Sequence, residues 1–132
     1  MKLDIPQGTT SKSIRIFAQS VASASTGLGI GNITFTGVTG TYYRDNATIT
    51  VNLTIGSGSN LGTFISSGWK EMTAMLGFYQ LGLTNDMVAT ACAAAGVVKE
   101  VTAIISPATA SNEAGTWAPV PLEIQLTRFD PY

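Results

Sequence analysis

Ala47-Thr48-Ile49-Thr50-Val51-Asn52-Leu53-Thr54-Ile55 alternates polar and apolar residues without a fault. Side chains along a strand point to opposite faces in turn. Ile49, Val51, Leu53 and Ile55 therefore share one face, and Thr48, Thr50, Asn52 and Thr54 share the other. The pattern predicts a half-buried strand with a wet outer face. Gly56-Ser57-Gly58-Ser59-Asn60 follows and reads as a turn between strands.

The same period recurs on either side. Lys12 to Ala18 sets Ile14 and Ile16 against Ser13 and Arg15. Near the other end, Val120, Leu122, Ile124 and Leu126 alternate with Pro121, Glu123 and Gln125. Pro121 lacks an N–H, which places it at the start of that strand or on a sheet edge. Val98 to Ile105 is richer in apolar residues and predicts a strand buried on both faces. Thr34 to Arg44 is a further strand segment, interrupted by Gly37 and Gly40 as points for a bulge or bend. Thr63 to Met72 is another, ending near Trp69, and Val21 to Gly31 reads as a long flexible loop. One helix is expected near residues 84–95. There Thr84 can cap, Asn85 and Asp86 suit the N-terminus, and Gly96 sits where a helix stops.

About seven short strands and one short helix predict an all-β fold, a compact antiparallel β-sandwich of immunoglobulin-like type. It is expected as a single domain over residues 1–132, with an N-terminal arm (1–8) and a C-terminal tail (128–132). Gly77-Phe78-Tyr79-Gln80-Leu81 adds a cue. G-x-Y-x-L opens a core strand of many immunoglobulin-like domains, where the tyrosine hydroxyl bonds back to the preceding turn. Tyr79 either takes that role or is simply an aromatic on a strand.

Composition restricts the chemistry. The chain has 132 residues, no histidine and one cysteine. Histidine-dependent triads and Cys/His zinc sites are excluded, and so is an internal disulfide. Cys92, among small apolar neighbours with no cation nearby, reads as a buried structural thiol. The formal net charge of −1 gives no basic footprint for nucleic acid. No apolar window is long and unbroken enough for a membrane span, and the N-terminus is too polar for a signal peptide. Gly27-Leu28-Gly29-Ile30-Gly31 lacks the strand–loop–helix setting of a phosphate loop. Neither a calcium loop nor a local carboxylate pair stands out. No catalytic residue, cofactor or metal is expected. Charged residues are 11% of the chain, which suggests a surface partly covered by copies of itself or by a larger assembly.

Four residues are expected to contact a partner: Ile5 in the N-terminal arm, Trp117 in the loop from Ala108 to Ala118, and Phe129 and Tyr132 in the tail. For Trp117, packing is as good a reading as contact. A carbohydrate-binding module is a competing reading, with Tyr42, Tyr43 or Trp117 as stacking platforms.

Several segments carry a family resemblance. They are Gly8-Thr9-Thr10-Ser11-Lys12, Tyr42-Tyr43-Arg44-Asp45, Ser66-Ser67-Gly68-Trp69, Gly77-Phe78-Tyr79-Gln80-Leu81-Gly82-Leu83, and Ala118-Pro119-Val120 with Leu122-Glu123-Ile124-Gln125-Leu126. Together they resemble small structural proteins of tailed bacteriophages over about residues 7 to 127. Two departures are Leu76, where related sequences carry a proline, and a longer segment from Ala108 to Trp117. The resemblance implies a virion component without catalysis, made in the bacterial host cytoplasm. It implies a capsid decoration (cement) protein bound to the major capsid protein or other virion proteins and forming a homo-oligomer. A tail, baseplate or fibre adaptor is the alternative.

Overall fold

The period-two segments form strands that stack as two sheets. A computed structural model of the chain describes residues 1–21, 27–45, 47–89, 100–108 and 117–127. Among these residues the strands are β1 (Lys2–Pro6), β2 (Ser13–Phe17), β3 (Val38–Arg44), β4 (Val51–Leu53), β5 (Gly56–Ser57), β6 (Gly68–Glu71), β7 (Phe78–Gly82), β8 (Glu100–Pro107) and β9 (Val120–Thr127). One sheet has the order β1-β9-β8-β3-β4 and the other β2-β7-β6-β5. The fold is an all-β sandwich, as the alternation predicts. In topology, β2-β7-β6 and β9-β8-β3 take the places of strands B-E-D and G-F-C of an immunoglobulin domain.

The inner faces meet in one core. Ile14 and Ile16 of β2, Tyr79 and Leu81 of β7, Val101, Ala103 and Ile105 of β8, and Leu122, Ile124 and Leu126 of β9 are all buried in it. At its centre Trp69 stacks on Tyr79, with ring centroids 4.6 Å apart, and lies 6.2 Å from Trp117. Pro121 sits near the start of β9, as its missing N–H requires. There its carbonyl accepts from the Met1 ammonium at 3.1 Å.

The structure corrects the sequence reading at several points. The described residues form nine strands where about seven were expected, and two pairings, β1 with β9 and β5 with β6, are parallel. The N-terminal arm is not an arm: Lys2–Pro6 is β1, and Ile5 is 2% exposed in the core. Leu3 and Ile5 alternate with Lys2 and Asp4, so a short strand was present in a stretch whose charges made it look solvated. Val98 to Ile105 was expected to be buried on both faces, yet β8 alternates, with Thr102 and Ile104 facing outward. The nine-residue alternation of Ala47 to Ile55 yields only the three paired residues of β4, and Ile49 is 72% exposed. Gly56 and Ser57 form a short strand rather than a turn. The segment at Thr34 to Arg44 begins with a 3₁₀ turn (Phe35–Gly37) before β3, and of Thr63 to Met72 only Gly68–Glu71 is strand.

In place of the helix near residues 84–95 stands a 3₁₀ turn (Asn85–Val88). The Thr84 side chain makes no capping bond. Arg44 instead crosses from β3 and donates to the Asp86 carbonyl at 2.9 Å and the Ala89 carbonyl at 2.8 Å. The later part of the expected helix, with Cys92, lies outside the described residues, as do Phe129 and Tyr132.

Candidate functional site

Of the four expected contact residues, two can be placed. Ile5 packs inside the sandwich, and Trp117 is 1% exposed against Trp69. Neither is available to a partner. Trp117 forms an isolated antiparallel bridge with Ser20, which draws it in under the sheets. Its indole N–H has no partner among the described residues. Of the three expected sugar platforms, Tyr42 and Trp117 are buried. Tyr43 keeps an exposed ring, with its hydroxyl donating to the Ala47 carbonyl at 2.7 Å.

Exposed apolar side chains gather elsewhere. Beyond β2 the chain folds back on itself: Gln19 bridges to Gly29, and the Ser20 N–H donates to the Leu28 carbonyl at 2.7 Å. The turn between β6 and β7 is drawn tight by Met75 N–H to the Met72 carbonyl (3.3 Å) and Phe78 N–H to the Met75 carbonyl (3.0 Å). These two loops touch through glycine. At Gly77, where φ is +90°, a Cβ would lie 2.6 Å from the Gly29 Cα and 2.7 Å from the Phe17 ring. Only a residue without a side chain permits that approach. The result is a ridge carrying Leu28 (62% exposed), Leu76 (66% exposed) and Met75, beside the Phe17–Phe78 ring pair.

The ridge is anchored from below. The Tyr79 hydroxyl donates to the Ile30 carbonyl at 2.7 Å and accepts from the Ile33 N–H at 3.2 Å. The Trp69 indole donates to the Ile33 carbonyl at 3.0 Å, and a Glu71 carboxylate oxygen accepts from the Asn32 N–H at 3.0 Å. Three side chains of β6 and β7 thus satisfy the backbone of one loop, which holds Asn32 at φ +63°. Tyr79 does bond to backbone, as the G-x-Y-x-L cue suggested. Its partners, however, lie in the loop before β3 rather than in the preceding turn. A surface held this way loses little conformational entropy on binding.

Leu28 and Leu76 carry no periodic signal: Leu28 stands between Gly27 and Gly29, and Leu76 follows Met75 directly and precedes Gly77, without alternation. They are brought near each other by the three-dimensional meeting of Gly29 and Gly77.

Polar candidates are sparse. A depression on the outer face of the five-stranded sheet is lined by Lys2, Asp4, Glu100, Glu123 and Gln125. Lys2 and Glu123 form an ion pair at 3.9 Å, and both side chains are mostly in water. No group of three potential metal-ligating carboxylate, cysteine or histidine side chains occurs among the described residues. Nor is any helix among them long and apolar enough to cross a membrane. Compared with known protein families, curated proteins and solved structures, the chain matches none.

Proposed function

We propose that this chain is a non-enzymatic structural subunit of a bacteriophage particle, acting as a capsid decoration protein that binds and stabilises the head shell. The observation that carries the docking part of this reading is the ridge of Leu28, Met75 and Leu76 on two interlocked loops. Exposed apolar side chains grouped on a preorganised surface are what a protein partner covers. The virion setting comes from the resemblance of residues 7 to 127 to phage structural proteins. Stabilisation follows from mass action, since a ligand of the assembled shell favours it over its dissociated subunits.

A tail, baseplate or fibre adaptor is the second reading, and one observation strengthens it. An N-terminal arm would favour stapling a head lattice, but Lys2–Pro6 is committed to β1. The stapling argument for the head then rests on residues 128–132 alone.

The test is binding of the purified chain to decoration-free heads of its own phage. Saturable binding with hundreds of copies per head supports decoration. Loss of that binding in Leu28→Asp/Leu76→Asp, with an unchanged melting temperature, assigns it to the ridge. A handful of copies located on the tail overturns the head placement. Deleting residues 128–132 tests the remaining arm, and unchanged occupancy removes it from the mechanism.

A further inference from the structure

The stretch Ile49 to Ile55 reads I-T-V-N-L-T-I, the same in character from either end, with Asn52 at the centre. It has the alternation of a seven-residue strand, but only Val51–Leu53 pairs with β3. Val51 is left 41% exposed on the face that continues the core, and Ile49, at a bend just before β4, is 72% exposed. β4 is also the last strand of its sheet.

The backbone register shows what this edge offers. Val51 pairs with Tyr42, and Leu53 with Gly40. On its other side β3 exchanges bonds with β8 through odd-numbered residues, as in Asp45 N–H to the Glu100 carbonyl. The even-numbered residues of β3 therefore turn their N–H and C=O toward Val51 and Leu53. Asn52, between them, consequently directs its own away from the sheet, where no strand of the described residues lies, with Thr50 and Thr54 flanking it just outside β4.

We propose that this edge is a two-fold interface at which a second copy of the chain pairs antiparallel, Asn52 opposite Asn52. That axis places Thr50 opposite Thr54 and Val51 opposite Leu53. It also places Ile49 against Ile55 of the other copy, which covers the most exposed isoleucine of the segment. Each outward-facing pair exchanges two N–H···O bonds. Two five-stranded sheets become one continuous sheet.

The occupant is a copy of the same chain for two reasons. A two-fold contact requires that residue i meet j while j meets i, and the palindrome satisfies this at every position. No charged residue occurs between Asp45 and Lys70, so self-pairing brings no like charges together. The other long edges lack this property. A two-fold centred on β2 sets Arg15 against Arg15, and β1 carries Lys2, Asp4 and Pro6. The inference concerns the chain itself and goes beyond the virion reading.

The experiment is sedimentation of the purified full chain over a range of concentrations, together with site-directed crosslinking. A dimer is expected for the intact chain. Asn52→Lys should shift it to monomer, because it sets two ammonium groups together while giving up within the chain only an exposed bond, from the Thr41 hydroxyl to Asn52 Oδ1 at 3.1 Å. In a Cys92→Ser background, Asn52→Cys should form a disulfide dimer on mild oxidation. A hydrogen-bonded antiparallel pair has Cα atoms about 5.5 Å apart, within the disulfide range. Ile49→Cys should not link to itself, since the same axis puts its two copies about 20 Å apart along the strands. A monomer at every concentration, or a dimer that survives Asn52→Lys and crosslinks no faster at position 52 than at Thr102→Cys, overturns the proposal.

Discussion

The two flanks of the sandwich are built on opposite terms. On one flank, β1 and β2 carry Lys2, Asp4, Pro6 and Arg15, so an approaching strand meets charge and a missing donor. On the other, β4 and β5 present threonine, asparagine, serine and glycine with aliphatic side chains behind them, and no charge at all. An edge strand is a template for pairing, and soluble chains blunt it. One flank here is blunted and the other is not. The difference is what singles out β4 for the pairing proposed above, since β5 is only two residues long.

Substitutions can break this contrast in decreasing order of effect. The largest is expected at Ile5→Ala on the guarded flank. Ile5 is 2% exposed, and removing a buried isoleucine side chain costs about 2–5 kcal/mol. Urea denaturation should show it. A loss below about 1 kcal/mol would mean that β1 is an arm after all.

Between the flanks, Tyr79→Phe strips the hydroxyl from the loop at Ile30 and Ile33. Leaving buried backbone groups without partners costs about 1–3 kcal/mol. Hydrogen exchange at Ile33 should accelerate with it. On the open flank, Val51→Ala should change monomer stability by no more than about 0.5 kcal/mol, since half-exposed positions tolerate truncation. Measured at dimer-forming concentration, the same variant should lose more, because Val51 is then covered.

A pH dependence sharpens the comparison further. The Tyr42 phenol, next to β4, is raised above its ordinary 10.0 by burial first and by the Asp86 carboxylate second, with Arg44 opposing. The unfolded chain then releases this proton at lower pH than the folded one. Stability is therefore unaffected below the unfolded value and falls as pH rises past 10 toward the folded value. Tyr42→Phe should flatten that part of the stability curve. The smallest effect, near zero, is expected at Lys2→Ala, which removes the exposed Glu123 pair, and it should fade further in salt.

The legibility of the fold follows the same division. β2 and β9 could be read directly, because their inner residues all find the core and their outer residues all find water. Ile49 to Ile55 has an even cleaner pattern but only a short strand. Alternation states what a segment can pair with, not whether its own chain supplies the partner. β1 shows the reverse, with two apolar residues among charges acquiring a strand from β9, more than a hundred positions away. The same limit applies to Tyr79, whose bonding role was visible in G-x-Y-x-L while its partners, 46 and 49 positions upstream, were not. Trp117 read equally well as packing or as a loop contact, because nothing local reveals that Trp69 and Ser20 lie against it. The ridge of Leu28 and Leu76 was invisible for a similar reason, being made by the meeting of two glycines.

The parallel pairing of the first and last strands has a mechanical side. β1 and β9 run in the same direction, in register from Lys2 opposite Glu123 to Pro6 opposite Thr127. Tension entering at the start of β1 and leaving at the end of β9 pulls the two strands past each other lengthwise. Every rung between them then bears load at once, instead of opening one after another as in a peeled hairpin. A sandwich clamped in this way resists lengthwise tension between β1 and β9 more than it resists peeling.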